Sequence, residues 1–208
     1  MKKRIRIAVI ASGRGSNFEA LARASLDEAY PASIAILITD NPEAGAIAAA
    51  KKLGIPCETV DCGSKKGTMS AESSERMARA CREREIDLVC LAGFMRIVKG
   101  ALLDAYAGRM LNIHPALLPS FKGLDGQRQA LEYGVRCTGC TVHFVDKGVD
   151  TGPIIVQRVV PVRQDDSVES LSARILAEEH RAYPEAVRLY AEGKLRIEGR
   201  RVIIDGEE

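Results

Sequence analysis

Ile5-Arg6-Ile7-Ala8-Val9-Ile10-Ala11-Ser12-Gly13-Arg14-Gly15-Ser16-Asn17 decides the fold. The run from Ile5 to Ala11 is far below the ~20 apolar residues that a membrane helix needs, and Arg6 interrupts it. It ends in Ser-Gly-Arg-Gly, and a segment of helical period follows, so the stretch reads as a buried strand handing over through a tight turn to a helix. Backbone amides and the Ser16 and Asn17 side chains then face an anion at a helix N-terminus, which implies a phosphate site. The pattern Gly-x-Gly-x-Asn lacks the third glycine of the dinucleotide fingerprint and no P-loop lysine follows. A glycine turn made only to reverse the chain fits the residues equally well.

Outward from this unit the same alternation repeats. Strands are expected at Ile5 to Ala11, Ser33 to Thr39, Pro56 to Val60, Asp87 to Ala92 and Met110 to His114. Helices are expected at Asn17 to Ala24, Ala44 to Leu53, Ala71 to Glu83, Lys99 to Tyr106 and Gln127 to Tyr133. Two β-rich runs, Cys140 to Val145 and Ile154 to Val160, flank a loop rich in Asp and Gly that is too long for a tight hairpin. A long helix begins near Ser167, with Ser167 and Ser170 as capping hydroxyls, and Pro184 is expected to kink or restart it. Lys194 to Ile197 and Arg201 to Ile204 form a small hairpin. The expected fold is α/β: one domain over residues 1–208 with a single open, twisted, mostly parallel sheet and helices on both faces. Residues 1–114 form a nucleotide-binding half and 115–208 a second half. Ligands should gather beyond the carboxyl ends of the parallel strands.

Composition narrows the function classes. The 208 residues are 46% hydrophobic, enough for one substantial core, and 30 Lys plus Arg against 28 Asp plus Glu leave a formal charge of +2. No whole-molecule field favours nucleic acid or an anionic membrane, so small-molecule partners and a cytoplasmic location are expected. Six scattered cysteines read as reduced thiols. Cys137 and Cys140 form a CxxC pair, but no second close pair matches it and it leads into a strand, so no metal is expected.

The chemistry-bearing residues stand at strand ends. Leu91-Ala92-Gly93-Phe94-Met95-Arg96 closes the fourth strand with a thioether and a guanidinium beside a glycine that lets a flat ligand approach. Leu111-Asn112-Ile113-His114-Pro115 closes the fifth. Asn112 and His114 are two apart, so both project from one face of an extended chain. An amide donor beside an imidazole suits a carbonyl addition, in which one group polarises the oxygen and another handles a proton. Asp150, in the loop after the sixth strand, either reaches the imidazole or closes a turn on its own backbone.

Together these stretches, with Thr141-Val142-His143-Phe144-Val145, Asp150-Thr151-Gly152-Pro153 and Glu178-Glu179-His180-Arg181-Ala182-Tyr183-Pro184, resemble the glycinamide ribonucleotide formyltransferase family over nearly the whole chain. The resemblance implies 10-formyltetrahydrofolate as co-substrate and a monomer or weak homodimer. It implies that Gly15, Ser16 and Asn17 hold the ribonucleotide phosphate and that Glu179 contacts the glycinamide end. Met95, Arg96, Ile97 and Val98, with Asn112 and the loop of Asp146, Lys147, Gly148, Val149 and Asp150, are implied on the folate side. Asn112 and His114 would stabilise the tetrahedral intermediate of direct amine attack, and Asp150 would keep His114 protonated. The chain departs from the family pattern at Ser70, where an arginine is common unless Lys65 or Lys66 substitutes. It departs also at Leu176, where some members have lysine, and at Asp125 and Gln127, which are histidines in one branch. A methionyl-tRNA formyltransferase would add a C-terminal barrel, and a formyltetrahydrofolate hydrolase an N-terminal regulatory domain. A nucleotide-binding module without catalysis would leave Asn112, His114 and Asp150 as coincidences.

Overall fold

A computed structural model describes residues 4–63 and 67–206, which leaves Lys65 and Lys66 outside the described residues. The elements in chain order are β1 (Ile5–Ile10), α1 (Ser16–Leu26), β2 (Ala32–Thr39), α2 (Gly45–Lys52), β3 (Cys57–Thr59), α3 (Ala71–Glu83) and β4 (Leu88–Leu91). They continue with α4 (Ala101–Ala105), β5 (Met110–His114), α5 (Gly126–Tyr133), β6 (Cys137–Phe144), β7 (Ile154–Pro161), α6 (Val168–Ala191), β8 (Leu195–Glu198) and β9 (Arg201–Ile204). Seven strands form one sheet in the order β3-β2-β1-β4-β5-β6-β7. The first five in chain order run parallel, and β6 and β7 run antiparallel to their neighbours. The α/β architecture is the expected one.

Alternation along β1 feeds two core layers. Ile7, Val9 and Ala11 pack with Phe18, Leu21, Ala46 and Tyr183 of the α1, α2 and α6 side. Ala8 and Ile10 pack with Met77 and Leu102 of the α3 and α4 side. A strand buried on both faces needs a near-continuous apolar run, which is why this segment carries no polar face. β1 pairs with β2 on one side and with β4 on the other, so the sheet grows one way through β3 and then the other way through β5. The reversal opens a crevice at the carboxyl ends of β1 and β4, where a doubly wound sheet takes its ligands.

Four local outcomes differ from the sequence expectation or sharpen it. Pro184 does not restart the last helix, because α6 runs on through it as one element. A proline inside a helix costs roughly 3 kcal/mol. Ile175, Tyr183 and Val187 are fully buried around it, each contributing about 1.5–3 kcal/mol, and they hold both halves on the same sheet. Ser170 and Ser167 form the expected reciprocal cap. β6 begins at Cys137, three residues before the expected start, so both cysteines lie in the strand. Being three apart they face opposite ways, Cys137 exposed and Cys140 buried, both as free thiols. Ser70, the first departure from the family pattern, caps α3 by accepting a hydrogen bond from the Ser73 amide at 3.1 Å.

Candidate functional site

The crevice has a backbone end and a side-chain end. At the first, Gly15 adopts φ 86° as the residue preceding α1. A Cβ there would lie 2.6 Å from that of Ala46, so glycine is required for α1 and α2 to meet. The first-turn amides of α1 project from its N-terminus, just beyond the carboxyl end of β1, and the helix dipole favours an anion there. Asn17 departs from expectation. Its side chain is buried, and its Nδ2 donates to Glu179 Oε2 at 2.7 Å instead of facing outward. Burial raises the Glu179 carboxyl above its ordinary value, and the Asn17 hydrogen bond only partly opposes this. The expected phosphate loop and the expected glycinamide contact are therefore physically joined, across 162 residues of sequence.

After β4 the chain passes Ser12, whose Oγ accepts from the Met95 amide at 3.0 Å. Met95 and Ile97 are 55% and 43% exposed, and Val149 of the opposite loop is 45% exposed. These are exposed apolar side chains of the kind that a flat ring covers, and Gly93, next to Phe94 and Met95 in the chain, has open space where a Cβ would stand. The alternate residues turn inward. Val98 is buried in the α3 and α4 core layer. Arg96 Nε donates to Asp40 Oδ2 at 2.7 Å in a mostly buried ion pair, and its Nη1 reaches the Gly63 carbonyl at 3.4 Å. Asp40, missed in the sequence, thus fixes the guanidinium and raises its pKa. Across the crevice Asp146 closes a turn by accepting from the Gly148 amide at 2.9 Å and the Thr151 hydroxyl at 2.5 Å, while Lys147 is exposed.

The side-chain end lies where β5 meets β6. Asn112 and His114 do share a face, opposite the buried Leu111 and Ile113. Antiparallel register sets His143 directly across from Asn112. Asp150, held at φ 50° in the loop between β6 and β7, closes the group. Its Oδ2 lies 3.3 Å from His114 Nδ1 and accepts the Gly123 amide at 2.8 Å; its Oδ1 lies 3.4 Å from Asn112 Nδ2 and 3.5 Å from His143 Nε2. The second reading of Asp150, a turn aspartate satisfied by its own backbone, is not what the loop builds.

Proton positions follow from the fixed acceptors. His114 Nε2 must donate to the Phe121 carbonyl at 2.8 Å, so Nδ1, facing Asp150, is the nitrogen that gains or loses a proton. His143 Nδ1 donates to the Phe144 carbonyl at 2.8 Å. Its Nε2 then accepts from Asn112 at 3.2 Å when the ring is neutral, and turns donor toward Asp150 when charged. Burial opposes ionisation of Asp150, but the His143 hydrogen bond, the Gly123 amide and the two imidazoles together hold its carboxyl below the usual range. The expectation that Asp150 keeps His114 charged is corrected. Burial lowers His114 below its ordinary value, and the opposing pull of Asp150 and the Phe121 carbonyl is the smaller effect. In this arrangement both hydrogens of Asn112 Nδ2 are directed at His143 and Asp150, so a developing oxyanion would have to draw one away.

Sequence reading brought Asn112, His114 and Asp150 together and kept His143 only as the first substitute for the acid should His114 prove dispensable. The Thr-Val-His spacing puts His143 on one face of its strand; what was missing is the register against β5. The family described as Formyl transferase matches residues 5–187. The chain is 43% identical to the trifunctional purine biosynthetic protein adenosine-3 of Homo sapiens over 94% of its own length, yet spans only 19% of that relative. It is 41% identical to the phosphoribosylglycinamide formyltransferase of Bacillus subtilis over 90% of this chain and 94% of the relative. It superposes on the crystal structure of glycinamide ribonucleotide transformylase 1 from Symbiobacterium toebii with TM-score 0.93 at 48% identity, covering 98% of this chain and 95% of that one. Since the matched span contains all seven strands of the sheet and both ends of the crevice, the chain belongs to the formyl transferase family.

Proposed function

We propose that the chain transfers the formyl group of 10-formyltetrahydrofolate to the amine of glycinamide ribonucleotide in purine synthesis, the activity named for its Bacillus subtilis relative. The observation that carries this reading is one crevice holding a helix N-terminus for a phosphate, the Asn17–Glu179 pair, and the Asn112, His114, His143 and Asp150 cluster. Residues 1–114 and 115–208 act as one domain, and the protein works as a monomer or weak homodimer on small molecules.

The α1 amides bind the phosphate and Glu179 holds the glycinamide end, so that the amine meets the formyl carbon near β5. Met95, Ile97 and Val149 cover the pterin, and the backbone of residues 95–98 and 146–150 lines its edge. The co-substrate supplies the electrophilic formyl carbon. As the amine adds, negative charge grows on the formyl oxygen; Asn112 swings an N–H to it, and His114, which burial keeps mostly neutral at rest, supplies a second donor only in the fraction that carries a proton at Nδ1. His143 taking a proton would free that Asn112 hydrogen by turning its own Nε2 into a donor for Asp150. The proton lost by the amine passes through water to the folate nitrogen, whose bond to the tetrahedral carbon breaks as the carbonyl re-forms, so that tetrahydrofolate leaves and the formylated amine remains. The test is an assay of the purified protein for loss of formyl donor. Loss that requires glycinamide ribonucleotide and yields its formyl derivative is the expected result; donor loss at the same rate without it would mean hydrolysis and overturn the reading.

A further inference from the structure

The row next to Asn112 and His143 crosses three strands. His114 of β5 lies opposite Thr141 of β6, and Thr141 lies opposite Gln157 of β7. Thr141 is fully buried and its hydroxyl is saturated: it donates to the Ala116 carbonyl at 2.7 Å and accepts from the Leu118 amide and from Gln157 Nε2, each at 3.1 Å. Gln157 Nε2 also donates to the Leu118 carbonyl at 2.9 Å. Leu118 is therefore fastened by its amide to Thr141 and by its carbonyl to Gln157. Three residues further on, the Phe121 carbonyl holds His114 Nε2, and the Gly123 amide holds Asp150 Oδ2. The segment 116–123 is clamped at its base by β6 and β7 and grips the acid pair at its far end. Gln157 is an exposed residue of the strand, so burial does not account for a glutamine there.

We propose that Gln157 is a positioning residue for His114 and Asp150, acting through Thr141 and the carbonyl of Leu118. It touches neither member of the pair. Without its amide, the Leu118 carbonyl and one lone pair of Thr141 lose their donor, and the segment relaxes away from His114. The Nε2 proton is then no longer pinned, and the ring loses the carbonyl that supports its charged form. The kinetic consequence rests on the formyl-transfer reading; the consequence for the imidazole does not.

The chain has three histidines, so the His114 ring can be followed by NMR titration after assignment with His114→Gln. In Gln157→Ala the His114 midpoint should move down and the ring should sample both tautomers. The kcat should fall about 10- to 100-fold, with KM for both substrates little changed, as for a misplacement remote from binding. Gln157→Glu, which reaches as far but offers no hydrogen when ionised, should behave like Gln157→Ala. Gln157→Lys, which restores donors, should recover part of the rate. Since the side chain is exposed, thermal unfolding should report a folded protein in each case. An unmoved His114 titration in Gln157→Ala would overturn the proposal, even if kcat fell. A moved titration in a protein whose wild type transfers no formyl group would uphold Gln157 and sink the formyl-transfer reading.

Discussion

Where β1 runs into α1, the site is made of main chain, and its geometry depends on a residue with no side chain, Gly15. Where β5 meets β6, it is made of side chains, three of which, Asn112, His114 and His143, share the one carboxylate of Asp150. The first end offers an anion the sum of many fixed dipoles, none of which titrates. The second concentrates its work in groups whose proton positions depend on one another. The two ends should therefore fail differently, one through geometry and the other through coupling.

The largest effects belong to the coupled end. Asp150→Asn and His114→Ala should each lower kcat by ~10²–10³, the usual loss for one donor to a developing oxyanion. The double variant should be little worse than His114→Ala alone, as groups acting as a unit behave. Multiplying losses, measured at saturating substrates on variants of checked stability, would show that the two act separately. At the backbone end, Gly15→Val forces a Cβ within 2.6 Å of Ala46 in a left-handed conformation and should cost roughly 1–3 kcal/mol. Its KM for the ribonucleotide should rise far more than that for the folate; equal rises would mean general misfolding.

Glu179→Gln tests the joint between the ends. Its folded carboxyl titrates above its ordinary value of 4.5, so the native state binds more protons than the unfolded one between the two values. Stability from this group is present below the ordinary value and is lost as pH rises through the folded one. Glutamine still accepts from Asn17 and carries no charge to desolvate. The variant should thus melt roughly 2–4 °C higher than wild type at neutral pH, a change of about 1 kcal/mol, while binding the ribonucleotide more weakly; an equal or lower melting temperature at pH 7 would contradict the buried charge. The smallest effect is expected for Cys137→Ser with Cys140→Ala. Burial pushes the Cys140 thiol up to about 12, which keeps it uncharged, and the two side chains face opposite sides of β6. Activity should stay within about twofold; a large loss that zinc or reductant modulates would restore a chemical role for the pair.

Much of this was legible because it is local. Met110–His114 and Ala71–Glu83 have the bounds that alternation and helical period give, and the strand-turn-helix unit at Gly15 is written in thirteen consecutive residues. What was not legible depends on distance along the chain. Asp40 meets Arg96 across 56 residues, and Asn17 turns to Glu179 across 162. His143 and Gln157 enter the site only through the register of antiparallel strands, which depends on loop lengths that hydrophobic pattern does not encode. Pro184 misleads because helix propensity is a weak force beside the burial of Tyr183 and Val187.

Tyr183 gives the arrangement a mechanical character. From α6 its hydroxyl reaches the carbonyls of Leu91 at 2.9 Å and Leu111 at 3.1 Å, so one proton is shared between the last residue of β4 and the second residue of β5. Glu179 stands one helical turn earlier on the same rod. On the proposed role of Glu179, a substrate that draws on it would pull a beam already pinned to the strand that carries Asn112 and His114. The strand that carries Asn112 and His114 is thus braced by the same helix that carries Glu179.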